Sequence, residues 1–124
     1  MSKNTIVKAV ILAFAVVSAP AVADASLSQC AYGKMCVWGN NDYQWLIAAQ
    51  THGNYRWVDP FSDANNENNQ NDSYWNNSNA YSGCLADGAN GGGDRVSMPR
   101  GQKDNDLAWF NSNEASSMRT KNGC

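Results

Sequence analysis

The amino-acid sequence predicts an all-β domain, a sandwich of eight short strands arranged as two similar halves. Three observations carry that expectation. The second half repeats the plan of the first: Cys36-Val37-Trp38 is echoed 48 residues on by Cys84-Leu85-Ala86, and Asp72-Ser73-Tyr74 is echoed 44 residues on by Ser116-Ser117-Met118. Internal repetition of this kind marks a duplicated supersecondary unit. The chain is also rich in Asn, Gly and Ser and poor in good helix formers, so turn residues punctuate it every few positions. Between those turns lie short aromatic or β-branched runs of strand length.

Residues 1–25 read as a secretory signal peptide. Lys3 and Lys8 provide a positive start, residues 9–19 (AVILAFAVVSA) an apolar stretch, and Ala21-Val22-Ala23 and Ala23-Asp24-Ala25 overlapping cleavage sites. The apolar stretch is shorter than the roughly 20 residues that a membrane span needs. A secreted domain of residues 26–124 is therefore expected, with its halves at about 30–78 and 79–124. Candidate strands in the first half are 34–38, 44–50, 55–58 and 73–76; in the second they are 82–86, 94–98, 107–110 and 117–120. Residues 44–50 (QWLIAAQ) would also suit a helical turn. Trp38, Trp45, Trp57, Trp75, Trp109 and Phe110 are the expected core, since each ring can bury a large apolar area.

Export changes how the cysteines are read. Cys30, Cys36, Cys84 and Cys124 are an even set, expected as disulfides in an oxidising setting. Of three possible pairings the preferred one joins Cys30 to Cys36, closing a tight N-terminal loop, and Cys84 to Cys124, tying a strand to the chain end. Zinc is disfavoured, because no C-x-x-C pair is present and His52 is the lone histidine. Without Lys3 and Lys8 the seven remaining basic residues are scattered, so neither nucleic acid nor a membrane surface is an expected partner.

The pattern resembles the βγ-crystallin-like domains of secreted bacterial proteins, especially the family named for the streptomycete metalloproteinase inhibitor. The resemblance rests on Cys30…Cys36-Val37-Trp38, Tyr74-Trp75-Asn76-Asn77-Ser78, the segment from Cys84-Leu85-Ala86-Asp87-Gly88 to Ala89-Asn90-Gly91-Gly92, and Phe110-Asn111…Glu114-Ala115-Ser116-Ser117-Met118-Arg119. It implies a disulfide-stabilised, two-Greek-key β-sandwich, each key having four antiparallel strands. Such keys usually open with an aromatic, a second aromatic five residues on, and a Gly two beyond. The first half has Trp38 and Tyr43, but Trp45 stands in the glycine position. The second has Gly93 in place, with Ala86 and Gly91 instead of the aromatics.

The same resemblance implies calcium loops of the form Asn/Asp, Asn/Asp, any, any, Ser/Thr, Ser. The first half offers Asn68-Asn69-Gln70-Asn71-Asp72-Ser73, and the second Ser112-Asn113-Glu114-Ala115-Ser116-Ser117. Candidate calcium ligands are Asn68, Asn69, Gln70, Asp72, Asn113, Glu114 and Ser116, whose carboxylate, amide and hydroxyl oxygens suit a hard cation. Asn, Asp and Ser also cap turns unaided, so these loops need no ion to form.

No catalytic constellation assembles from the sequence. His52 sits in a polar turn, and no nucleophile elbow, zinc helix or phosphate loop is present. Gly91-Gly92-Gly93-Asp94 reads as a hairpin turn, and Asp87 with Asp94 is one carboxylate pair among several. The expected role is non-enzymatic: by resemblance, a secreted inhibitor of a metalloprotease with Cys84–Leu85 as its contact bond. Leu85 would otherwise be a core residue of its strand, and no nearby cysteine follows Cys84 to close a loop around the bond. The alternative is an extracellular calcium-binding or cell-wall glycan-binding module, with Trp45, Tyr55, Tyr74 and Tyr81 available to stack on sugar rings. A monomer is expected in either case.

Overall fold

The computed structural model describes residues 27–62, 70–108 and 112–124. Seven strands run through them: β1 (Lys34–Asn40), β2 (Gln44–Thr51), β3 (Ser73–Asn77), β4 (Gly83–Ala86), β5 (Arg95–Met98), β6 (Lys103–Asp104) and β7 (Ser117–Arg119). They form a four-stranded sheet in the order β2-β1-β3-β6 and a three-stranded sheet in the order β5-β4-β7. Every pairing is antiparallel. The ambiguous QWLIAAQ run is strand β2, paired along β1 from Lys34↔Thr51 to Asn40↔Gln44.

The duplication is visible as equivalent ladders. In the first half Trp38, Val37 and Cys36 face Ser73, Tyr74 and Trp75. In the second, Ala86, Leu85 and Cys84 face Ser117, Met118 and Arg119. The halves also exchange their third strands. Val58 bridges to Met118, with N–H···O bonds of 2.9 Å in both directions, so the first half extends the second sheet. Conversely β6 pairs with Tyr74 and Trp75 of β3, so the second half completes the first sheet. Two interlocked Greek keys result.

Two strand expectations are corrected. The run 55–58 contributes a single bridge at Val58. The third strand of the second half is Lys103–Asp104, whereas Leu107 and Ala108 lie outside any strand and residues 109 and 110 lie outside the described residues. The cause is a division of labour: edge pairing needs only backbone groups, while the apolar side chain three residues on fills the core. Leu107 follows Asp104 by three residues and is buried, and Phe61 follows Val58 by three and is fully buried.

Alternation along β1 builds two cores. Met35 and Val37 point between the sheets, where they join Ile47, Phe61, Tyr74, Leu85, Met98, Leu107 and Met118. Cys36 and Trp38 point outward into a smaller cluster with Cys30, Leu27, Tyr43, Leu46 and Trp75. The N-terminal strap covers that outer face. Its Cys30–Cys36 disulfide staples it down, and Trp38 Nε1 donates to Gln29 Oε1 at 3.2 Å. The second disulfide joins Cys84 to Cys124, so both bridges have the preferred pairing. Of the expected core rings, Trp38 is fully buried, Trp57 and Trp75 are half-buried, Trp45 is 44% exposed, and Trp109 and Phe110 lie outside the described residues.

Candidate functional site

Both first hairpins fold over in the same way despite their unlike sequences. Asp42, Tyr43 and Trp45 have φ of 57°, 60° and 64°; their equivalents 48 residues on, Asn90, Gly91 and Gly93, have φ of 54°, 78° and 69°. Trp45 therefore takes the left-handed conformation that glycine adopts without penalty. It is tolerated because Tyr43 packs edge-on against Trp38 at 5.2 Å and the Trp45 indole lies over Gly39. In the second half Trp57 replaces the missing aromatic, packing on Gly91 with Arg119 and Arg95 stacked 4.8 and 5.2 Å from its ring centre.

The serines that close the two loop motifs have an identical structural task. Ser73 Oγ donates to Asn40 O at 2.9 Å and accepts from Tyr43 N–H at 3.2 Å. Ser117 Oγ donates to Gly88 O at 2.7 Å and accepts from Gly91 N–H at 3.0 Å. Each pins the hairpin of its own half.

These folded hairpins position the two candidate cation loops against each other. Asn71, fully buried, bridges them: its carbonyl accepts from Asn113 N–H at 2.6 Å, and its Oδ1 accepts from Glu114 and Ala115 N–H at 2.8 and 2.7 Å. Asp72 N–H donates to Trp38 O at 2.9 Å and Ser116 N–H to Ala86 O at 2.8 Å, an equivalent pair. Gln70, Asp72, Asn113, Glu114 and Ser116 are thus gathered at one end of the molecule; Asn68 and Asn69 lie outside the described residues. Burial and then the nearby Asp106 raise the Asp72 carboxyl above the usual aspartate range, partly opposed by a hydrogen bond from Ser112. Tyr43 and Tyr74 are likewise raised, by burial first and Asp104 next, so both phenols stay neutral.

The donor chemistry fits a calcium ion. Asp72 would supply charge, Ser116 and Gln70 neutral oxygens, and Glu114 a second carboxylate from the facing loop. Among the described residues no group of three His, Cys, Asp or Glu side chains assembles as a metal cluster. Beside Asn71, Asp87, Asp94 and Glu114 line a cavity of about 10 Å³, close to the lower limit for one water.

The expected inhibitory bond lies elsewhere. Cys84 and Leu85 are 0% and 1% exposed on β4, the central strand of its sheet, with β5 on one side and β7 on the other. Leu85 is a core residue of its strand, and a protease cleft cannot reach it while the sheet is intact. Of the candidate stacking rings, Trp45 and Tyr55 are exposed, Tyr81 is half-buried and Tyr74 is buried. His52 Nδ1 lies 2.6 Å from Ser78 Oγ, and that oxygen accepts from Ala80 and Tyr81 N–H at 3.2 and 3.4 Å. Ser78 is buried, and this pair ties the linker between the halves to β2.

Sequence reading missed Asn71, Ser73, Ser117 and Phe61. Ser73 and Ser117 carried a detectable signal, since they close the two repeated loops at matched places, whereas Asn71 stands at an unrestricted position of the loop pattern.

No protein-family model matches the chain, and no curated protein matches it. Solved structures do. A domain from work on the evolution of the eye lens βγ-crystallin domain fold has a TM-score of 0.58 at 18% identity, covering 72% of this chain and 85% of its own. A βγ-crystallin domain from Flavobacterium johnsoniae gives 0.52 at 19% identity, covering 68% and 90%. The N-terminal domain of Protein S gives 0.51 at 19% identity, covering 69% and 92%. With its interlocked keys, antiparallel sheets and two disulfides, the chain has the βγ-crystallin fold.

Proposed function

We propose that the protein is an exported, non-catalytic module that acts by contact, and that a calcium ion held by its paired loops locks the two halves together. The observation that supports this reading is the loop junction at Asn71, where facing oxygen donors gather beside the like-charged pair Asp72 and Asp106. A divalent cation would relieve that repulsion. A donor set of only two carboxylates alongside neutral oxygens suits the weak affinities of extracellular modules, dissociation constants of about 10⁻⁴–10⁻³ M. Export agrees with the two disulfides, which persist in an oxidising setting.

The test is thermal unfolding in 10 mM calcium and in chelator. For a dissociation constant of about 1 mM the gain is about 1.4 kcal/mol, which raises the melting temperature by about 5–10 °C in a domain of this size. Asp72→Asn and Ser116→Ala should shrink that rise. Identical melting in calcium and chelator would reject the cation.

One observation favours a second reading, peptidase inhibition through a different loop. The 40–45 hairpin is rigid and carries an exposed Trp45. It is pinned by Asp42 N–H to Asn105 O at 2.8 Å, by Asn105 Nδ2 to Asp42 Oδ1 at 2.9 Å, and by Ser73. A preorganised loop lowers the ordering cost of binding. Assays against a panel of secreted metalloproteases, with Trp45→Ala as the comparison, test it; inhibition unaffected by that substitution excludes this loop.

A further inference from the structure

Three rings form a wall that the calcium loops do not use. Tyr32, 64% exposed, stands edge-on to His52 at 6.3 Å, and His52 stands edge-on to Tyr81 at 5.2 Å. Tyr81 continues into an open groove of about 290 Å³ between the inter-half linker, the turn after β5 and the C-terminal tail. The charged residues lining that groove are Arg100 and Lys121, in a chain whose formal net charge is −2. Lys121 Nζ lies 5.6 Å from the Tyr81 ring centre, and among the described residues neither cation is held by a carboxylate.

The segment 119–124 that forms one wall is fastened repeatedly. Gly123 N–H donates to Ser82 O at 3.0 Å, Thr120 N–H to Asn54 O at 2.9 Å, and Arg119 Nε to Gly123 O at 2.7 Å. The Cys84–Cys124 disulfide completes the anchorage. The groove is therefore rigid before any ligand arrives, which lowers the cost of binding.

We propose that this groove binds an acidic glycan, a chain of sugar rings bearing carboxylates. Arg100 and Lys121 match the carboxylates, with the Arg guanidinium able to take one through two parallel N–H···O bonds. Tyr81 and Tyr32 offer flat apolar surface to the C–H faces of sugar rings, while Ser82 and Asn122 offer hydrogen bonds to hydroxyls. An open trough suits a polymer segment better than an enclosed small molecule. Two cations fall well short of the charge that a nucleic acid would need. This gives the contact-acting module a ligand class, and it does not depend on the cation loops.

The experiment titrates the disulfide-bonded protein with oligogalacturonate in chelator, since calcium would cross-link the ligand itself. Neutral dextran oligomers and polyglutamate are the comparisons. Saturable binding is expected for oligogalacturonate alone, weakening with added salt. Arg100→Gln and Lys121→Gln should each weaken it about five-fold, the upper range for an exposed charge pair. Tyr32→Ala, at an exposed ring, should weaken it with unchanged melting. No saturable binding, undiminished binding by both Gln variants, or equal binding of polyglutamate would each overturn the proposal. The calcium-dependent melting shift, read separately on Lys121→Gln, keeps failure here distinct from failure of the cation reading.

Discussion

Gly39 and Trp45 form a matched pair whose coupling can be measured. Trp45 stands in a glycine position of the folded hairpin, and its indole lies where a side chain at residue 39 would project: a Cβ on Gly39 would overlap Cε3 and Cζ3 of the ring. The second half inverts the pair, with Asp87 in the place of Gly39 and Gly93 in the place of Trp45. Gly39→Ala should therefore expel the indole into solvent. Trp45 is 44% exposed, so just over half of a side chain of about 250 Å², roughly 140 Å², is at stake. At about 25 cal/mol per Å² the loss is about 3.5 kcal/mol, an upper estimate because unfolded chains already bury some apolar surface. Trp45→Ala should cost about the same, and the double variant little more than either single one, a coupling of about 2–3 kcal/mol. Urea unfolding of the four proteins measures it. If Gly39→Ala costs as much in the Trp45→Ala background as in the native one, the clash is not with the indole and this account of the hairpin fails.

Other consequences can be checked on the same footing. Replacing Cys84 and Cys124 by Ser opens a loop with a sequence separation of 40 and should cost about 4 kcal/mol in chemical denaturation; a loss under about 1 kcal/mol would mean the tail is held by its hydrogen bonds alone. Leu85→Asp places a carboxylate in the inter-sheet core and should unfold the domain, costing more than about 4 kcal/mol. Retained near-ultraviolet circular dichroism in that variant would contradict the buried placement. Asp72 has a folded pKa above its unfolded one, so the stability it contributes is complete below the ordinary aspartate range and is lost as pH rises through the raised value. Asp72→Asn should flatten that loss in urea titrations at acid pH, and an unaltered pH slope would argue against a raised Asp72 carboxyl, whose main cause is burial with Asp106 second.

Much of the scaffold was legible because its signals are local. Turn residues bracketed β1, β2, β3, β4, β5 and β7 closely, and an even cysteine count in a small chain pointed to the two bridges that form. The 107–110 expectation failed for a physical reason. Leu107 carries the apolar signal while the neighbouring Lys103–Asp104 pair, which has none, makes the strand. The candidate site was half legible: loops matched at corresponding places in two repeats drew attention to Asp72 and Ser116. The bridging role of Asn71 was hidden because it sits at an unrestricted motif position. The burial of Cys84 and Leu85 on a central strand was not legible, since sequence likeness says nothing about whether a strand lies at an edge or in the centre of its sheet.

By itself the sequence determined strand content, duplication and the disulfide set, because backbone preference, turn chemistry and cysteine parity act over a few residues. Tertiary structure alone decided the exchange of third strands, the burial of Leu85, the seating of Trp45 on Gly39 and the gathering of Arg100, Lys121 and Tyr81 around one groove. Those outcomes depend on which distant backbones pair and which side chains then share a face, and such long-range choices leave no pattern in neighbouring residues.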